Sequence, residues 1–284
     1  MAETDSLILR EDHGPVVLLA LNRPQARNAL SRALVSMLGD TLSTVAAETD
    51  VRAVVFTGVG PAFCAGMDLK EAEAAGRDAD TERRAVEDVQ AIADLIQQIH
   101  TLPKPTVAAL NGDALAAGAG IASACDFVVA ASGARIGYPE VKRGLVAAIV
   151  LHDLVRQVGE RRARSLLLTG EPIDATEAER WGLVNRVVPA GDCKAAALEL
   201  ARTVSGGGPL ALATIKKLVD EATFRPGDLR GAAAVSAAVR VSEEAMEGMR
   251  AFLEKRPARW VSQSPAADSP GDRRSVDEDF PGVG

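Results

Sequence analysis

The sequence is poor in aromatic residues, at 3%, and has no excess of positive charge; its formal net charge is −7. Both absences argue against nucleic acid as a partner, since that surface needs a basic patch interleaved with stacking rings. The three cysteines, Cys64, Cys125 and Cys193, show no CxxC spacing and are odd in number. They predict neither a disulfide framework nor a zinc site, so no metal is expected and a reducing compartment fits. The opening MAETDSLILR has early acids and no apolar core, so it does not read as a secretory signal. No apolar run approaches the roughly 18 residues of a membrane-spanning helix. A cytoplasmic chain without membrane contact is the expectation.

What is present is an ordinary globular composition, 47% apolar and 25% charged over 284 residues. That length suits one α/β domain, alone or with appendages. SLILREDHGPVVLLALNRP reads as two strands around an Asp-His-Gly-Pro turn. Ser31 is a candidate N-cap for a helix through SRALVSMLGDTLSTVAAE. VRAVVFTG, TVAALNG, DFVVAAS, ARIGYP and WGLVNRVVP read as further strands, and Thr81 to His100 as a long polar helix. Most of the rest, to about Trp260, reads as helical, broken at Gly206 to Gly208 and at FRPGD. Strands separated by helices predict an α/β fold with crossover ββα units. From residue 261 on, Ser, Pro, Gly and Asp dominate, and too few apolar residues remain to offset ordering entropy. The expected division is therefore a core over 1–200, a helical region over 201–260 and a disordered acidic tail over 261–284.

Two segments stand out chemically, FCAGMDLK (Phe63 to Lys70) and NGDALAAGAG (Asn111 to Gly120). Each is a strand end followed by small residues. Small residues let a ligand approach the backbone, and the first N–H groups of a helix have no intrahelical partner. Two such loops facing each other would direct two N–H groups at one oxygen, the arrangement that stabilises an enolate. For either loop alone, close helix–strand packing explains the small residues equally well.

LNRPQARNAL, FCAGMDLKE, LPKPTVAALNGDALAAG, CDFVVAA, YPEVKRGL, LTGEPIDATEAERWGLVNRVVP and EGMRAFLEKR, in that order, resemble the enoyl-CoA hydratase/isomerase (crotonase) family. The resemblance covers roughly Leu7 to Trp260. It implies a spiral of ββα units with a C-terminal helical trimerisation region, and homotrimers that often pair as dimers of trimers. It implies an acyl-CoA thioester as ligand, with coenzyme A part of the substrate and no separate cofactor.

By position, the backbone N–H groups of Met67 and Ala117 correspond to the family's oxyanion hole. Where the family commonly has three glycines, this chain has Ala116, Ala117 and Gly118. The resemblance also implies contacts to the acyl-CoA from Gln25, Ala26, Arg27, Ala65, Asp68, Leu69, Leu115, Gly118, Pro139, Gly144 and Lys255. Of these, Asp68 also reads as a cap for the helix after Met67. Arg27 fits a phosphate contact or a solvated surface position. Lys255 fits a contact to a neighbouring subunit's nucleotide or an exposed helix lysine.

Hydratases of this family use two glutamates. The second corresponds to Glu140 in YPEVK, which is present; the first falls on Gly120, which has no side chain. Hydration needs a base for water and an acid for the α-carbon, most easily two groups. Moving a double bond from C3 to C2 needs one base that takes a C2 proton and returns one at C4. The expectation is a Δ3–Δ2 enoyl-CoA isomerase or a one-carboxylate hydratase, with Glu140 as acid/base. Asp113, His152 and Asp153 are the candidates to stand in for the missing acid. The alternatives are an acyl-CoA hydrolase or decarboxylase of the same superfamily, and a non-catalytic acyl-CoA-binding protein.

Overall fold

Val16–Leu21 is apolar at all six positions and every one is buried, so this strand must be covered on both faces. Thr106–Leu110 is likewise buried throughout, with Thr106 its one polar residue, and Ala53–Gly58 is nearly so. Such uninterrupted runs belong to parallel sheets flanked by helices on both sides. In the computed structural model, which describes residues 6–74, 80–223, 233–234, 237–238 and 240–256, that is where they lie.

The chain repeats a two-strand, one-helix unit. β1 (Ile8–His13) and β2 (Val16–Leu21) are followed by α1 (Arg32–Ala47). β3 (Ala53–Gly58) and β4 (Ala62–Cys64) lead through a short α2 (Leu69–Ala74) to α3 (Thr81–His100). β5 (Thr106–Leu110) and β6 (Asp113–Leu115) precede α4 (Ala117–Ala124). β7 (Phe127–Ala131) and β8 (Arg135–Gly137) precede α5 (Leu151–Thr169). After the first unit, each unit gives its first strand to a six-stranded sheet, ordered β1-β2-β3-β5-β7-β10, and its second to a four-stranded sheet, ordered β4-β6-β8-β9. The chain thus advances by one strand in both sheets at each turn of a spiral. Among the described residues, only the β1–β2 and β8–β9 pairs are antiparallel.

Local chemistry fixes the element ends. The Ser31 hydroxyl accepts from the Leu34 N–H at 3.2 Å, so it caps α1 as its sequence position implies. The polar helix expected over 81–100 is α3, with a buried stripe that includes Val89, Ile92 and Ile96.

Three strands are absent from the sequence reading: β4, β6, and β9 (Ile173–Asp174), which precedes α6 (Ala175–Trp181). At three, three and two residues none is long enough to show a period, and each exists through pairing with another segment. Conversely, the strand expected through WGLVNRVVP shrinks to β10 (Arg186–Val188). Trp181 ends α6, and Gly182, at φ +86, turns the chain out of it.

α7 (Cys193–Ser205) crosses the expected 200/201 boundary and packs on β3, β5 and β7. α8 (Pro209–Thr223) follows the glycine break, and α9 (Glu243–Leu253) begins at Ser242, whose hydroxyl accepts from the Ala245 N–H. The break at FRPGD and the segment 261–284 lie outside the described residues. Among the described residues, no helix is long and apolar enough to cross a membrane.

Candidate active site

The two small-residue segments meet. Leu30 donates its N–H to the Gly66 carbonyl at 2.8 Å and accepts from the Asp68 N–H at 3.1 Å. In extended backbone successive groups point to opposite sides, so the Met67 N–H is directed away from Leu30. Across from it, Ala117 is the first residue of α4, and its N–H has no intrahelical acceptor. The approach between the segments is close. A Cβ on Gly66 (φ +88) would stand 2.7 Å from the Ala116 Cβ and 3.3 Å from the Ala117 nitrogen. Ala116 itself has φ 54 and ψ −127, a conformation ordinarily reserved for glycine.

Glu140 sits in a 3₁₀ turn, Pro139–Arg143, that begins after Tyr138. Tyr138 is fully buried and its hydroxyl lies 3.3 Å from Ser123 Oγ on α4, which ties the turn to the helix bearing Ala117. Glu140 as a residue is half-buried, but its Oε2 is shut off from solvent and has no hydrogen-bond partner. Burial pushes the carboxyl up to about 7; a bond from its own backbone N–H and the nearby Arg143 offset only part of this. A carboxylate near that value takes and returns protons readily at neutral pH.

The place of a second carboxylate is occupied. A Cβ on Gly120 would stand 2.6 Å from Val150 Cγ1 and 3.0 Å from Ile96 Cδ1. The sequence offers no local hint of this, because Ile96 and Val150 are remote in the chain. None of the stand-in acids fills the gap. Asp113, in β6, is engaged by Arg135 of the neighbouring β8, at 2.5 Å from Nη2. Asp153 pairs with Arg156 at 3.3 Å, and His152 is exposed on α5. None of the three lines the cavity.

A cavity of about 630 Å³ joins these groups. Of the sequence-predicted residues, Gln25, Ala26, Arg27, Ala65, Met67, Asp68, Leu69, Leu115, Ala117, Pro139 and Glu140 line it. Buried Asn28 holds the 23–29 loop at its mouth, donating from Nδ2 to the Val59 and Ala62 carbonyls at 3.0 and 2.8 Å. Asp68 does cap α2, accepting at Oδ1 from the Lys70 and Glu71 N–H groups. Its Oδ2 accepts from Arg23 at 2.9 Å. Burial opposes ionisation of Asp68, yet Arg23 and the capping N–H groups hold it below the usual carboxylate range. Asp68 therefore stays charged and paired.

Three predicted contacts stand elsewhere. Gly118 is packed against the β4 backbone, where a Cβ would fall 2.3 Å from the Cys64 carbonyl oxygen. Close packing, the plainer explanation for small residues, accounts for this one. Gly144 is buried and ends the 3₁₀ turn at φ 66. Lys255 lies exposed beyond the end of α9.

Leu145, Val146, Ala147 and Ile149 of the loop after Glu140 also line the wall, and the structure adds residues that sequence reasoning missed: Arg23, Arg143 and Arg240, and the α9 residues Phe252 and Leu253. An arginine in a loop carries no sequence signal of burial. The apolar run GLVAAIVL was the one available sign that this loop narrows the site.

Comparison with known proteins gives the family. Residues 11–263 match the family Enoyl-CoA hydratase/isomerase. A provisionally named enoyl-CoA hydratase of Thermus thermophilus is 43% identical over 89% of this chain and 100% of its own length. An enoyl-CoA hydratase of Mycobacterium tuberculosis is 36% identical over 89% of this chain and 94% of its own. The crystal structure of an enoyl-CoA hydratase from Mycobacterium avium superposes with a TM-score of 0.79 at 37% identity, covering 90% of this chain and 99% of that one. The fold is the crotonase fold, and the chain belongs to the enoyl-CoA hydratase/isomerase family.

Proposed function

We propose that this protein is a one-carboxylate enoyl-CoA isomerase, moving a double bond from C3 to C2 of an acyl-CoA thioester. The observation that carries the reading is the pair of positions 120 and 140. Glu140 offers a buried oxygen without a partner, whereas Val150 and Ile96 fill the space that a carboxylate at 120 would need.

The thioester oxygen sits between the N–H groups of Met67 and Ala117. Glu140 takes a proton from C2. The C2–H electrons form the C1–C2 double bond of a dienolate, and the carbonyl π electrons move to the thioester oxygen. Preorganised N–H donors are worth most at that point, since the charge they meet exists only along the reaction path. The neutral carboxyl of Glu140 then returns a proton at C4, the C3–C4 electrons forming the new C4–H bond. The enolate collapses to the C2–C3 double bond, and Glu140 regains its charge. No second titratable group is required.

A second reading, hydration by Glu140 alone, is favoured by the names of the relatives, which are hydratases. The two are separated by giving the protein cis-3-hexenoyl-CoA in deuterated water and following it by proton NMR. Isomerisation gives the trans-2-enoyl thioester without any 3-hydroxyacyl product. Accumulation of 3-hydroxyacyl-CoA instead would establish hydration, and loss of free CoA or CO2 would establish hydrolysis or decarboxylation. Binding without any turnover would leave a carrier.

An oligomer accords with the bare face of α8, where Leu210, Ile215 and Leu218 are 80%, 56% and 55% exposed. The homotrimer, or dimer of trimers, is part of this reading. A sedimentation run showing a stable monomer would remove it.

A further inference from the structure

Arg143 stands three residues after Glu140 in the same 3₁₀ turn, so the two side chains project on one side and both reach the cavity. They do not satisfy each other. Glu140 Oε2 and Arg143 Nε are both buried and both lack a hydrogen-bond partner. The guanidinium is nonetheless held in place, because Nη1 donates to the Pro139 carbonyl at 3.0 Å and Cζ lies 4.1 Å above the Phe252 ring. A clamped guanidinium with an unused donor is set up to receive an acceptor.

The surroundings say what kind of acceptor. The neighbouring wall consists of Leu145, Val146, Ala147, Ile149 and Leu253, which offer no side-chain acceptor. Of the other arginines on the wall, Arg23 bonds Asp68 at 2.9 Å and Arg240 bonds Asp88 at 3.0 Å, while Arg27 is exposed on the 23–29 loop. A purely hydrocarbon acyl chain would strip water from Arg143 and return nothing. A buried donor left unpaired in this way is strongly disfavoured. A carboxylate would meet the guanidinium with a charge-assisted bond.

We propose that Arg143 is the receptor for a second carboxylate carried on the acyl group, so that the preferred ligands are CoA monothioesters of dicarboxylic acids. This inference rests on the acyl-CoA reading of the cavity and does not depend on which reaction Glu140 performs.

The test is a binding comparison by calorimetry between two unreactive six-carbon thioesters, adipyl-CoA, which ends in a carboxylate, and hexanoyl-CoA, which ends in a methyl group. The wild-type protein is expected to bind adipyl-CoA more tightly, by on the order of 100-fold, the scale at which a buried polar site separates a matched ligand from one lacking the group. In Arg143→Met that ratio is expected to fall toward one, and in Arg143→Lys to be partly kept. A wild-type ratio at or below one overturns the inference. So does an equal loss for both thioesters in Arg143→Met together with a shifted pH profile, which would make Arg143 a positioning residue for Glu140. A retained ratio without isomerisation would leave the inference standing and remove the isomerase reading. Failure of both thioesters to bind would remove both.

Discussion

Val150 Cγ1 stands 2.6 Å from where a Cβ on Gly120 would lie, so the space beside position 120, where the resemblance puts the other glutamate of the hydratases, is filled with hydrocarbon from the loop before α5. Gly120→Glu by itself is therefore expected to destabilise the fold by about 1–3 kcal/mol through overpacking and to confer no hydration. Gly120→Glu with Val150→Ala opens the space and is expected to yield 3-hydroxyacyl-CoA. Melting curves and product NMR check both; a stable, hydrating single variant would contradict the steric argument.

Glu140→Gln keeps the shape of the side chain and removes its proton chemistry. Turnover of 3-enoyl-CoA should drop by about 10²- to 10⁴-fold, the usual worth of a positioned acid/base. Thioester binding should persist. Full activity in this variant would exclude Glu140 from the reaction.

The carboxyl of Glu140 is pushed up to about 7 by burial, and only its charged form can accept a proton from C2. kcat/KM, which reports the free enzyme, should rise tenfold per pH unit below about 7 and level off above it. A profile flat from pH 5 to 8 would mean a different group limits the reaction.

The same shift has a stability consequence of opposite direction. Folded Glu140 keeps its proton to about 7, whereas the ordinary value is 4.5, so its contribution is most favourable below about 4.5 and is lost as pH rises through 7. Glu140→Gln should consequently be more stable than the parent at pH 8, by on the order of 2–3 kcal/mol, and gain nothing at pH 4. Denaturant unfolding at the two pH values measures this; a loss of stability at pH 8 would refute it.

Gly66 and Ala116 share one crowded contact, and each has a backbone that favours glycine. Gly66→Ala should displace the segment that carries the Met67 N–H and lower turnover by about 100-fold or more, as loss of an oxyanion donor does. Ala116→Gly should instead relieve strain and stabilise the protein by about 1 kcal/mol. Kinetics and melting temperatures read the two effects separately, and matching changes in both variants would dissolve the distinction.

Much of this was legible in the sequence where the signal is local. Ser31 capping α1, the period of Thr81–His100 and the continuous apolar strands follow from neighbouring residues alone. The candidate oxyanion N–H groups at 67 and 117 and the acid at 140 were reachable because the resemblance carries their order along the chain. The absence of a side chain at Gly120 was likewise in plain sight.

Tertiary structure decided the rest, because those features are made between segments far apart. β6 and β9 are strands only by virtue of what they pair with. Asp113 is removed from the chemistry by Arg135, and Gly118 by the backbone of Cys64. Val150 and Ile96 close on Gly120 from two different elements. Arg143 becomes a half-buried, clamped cation only when α9 lays Phe252 under it. The sequence determined which groups exist and which local elements carry them; packing alone determined which were left without a partner.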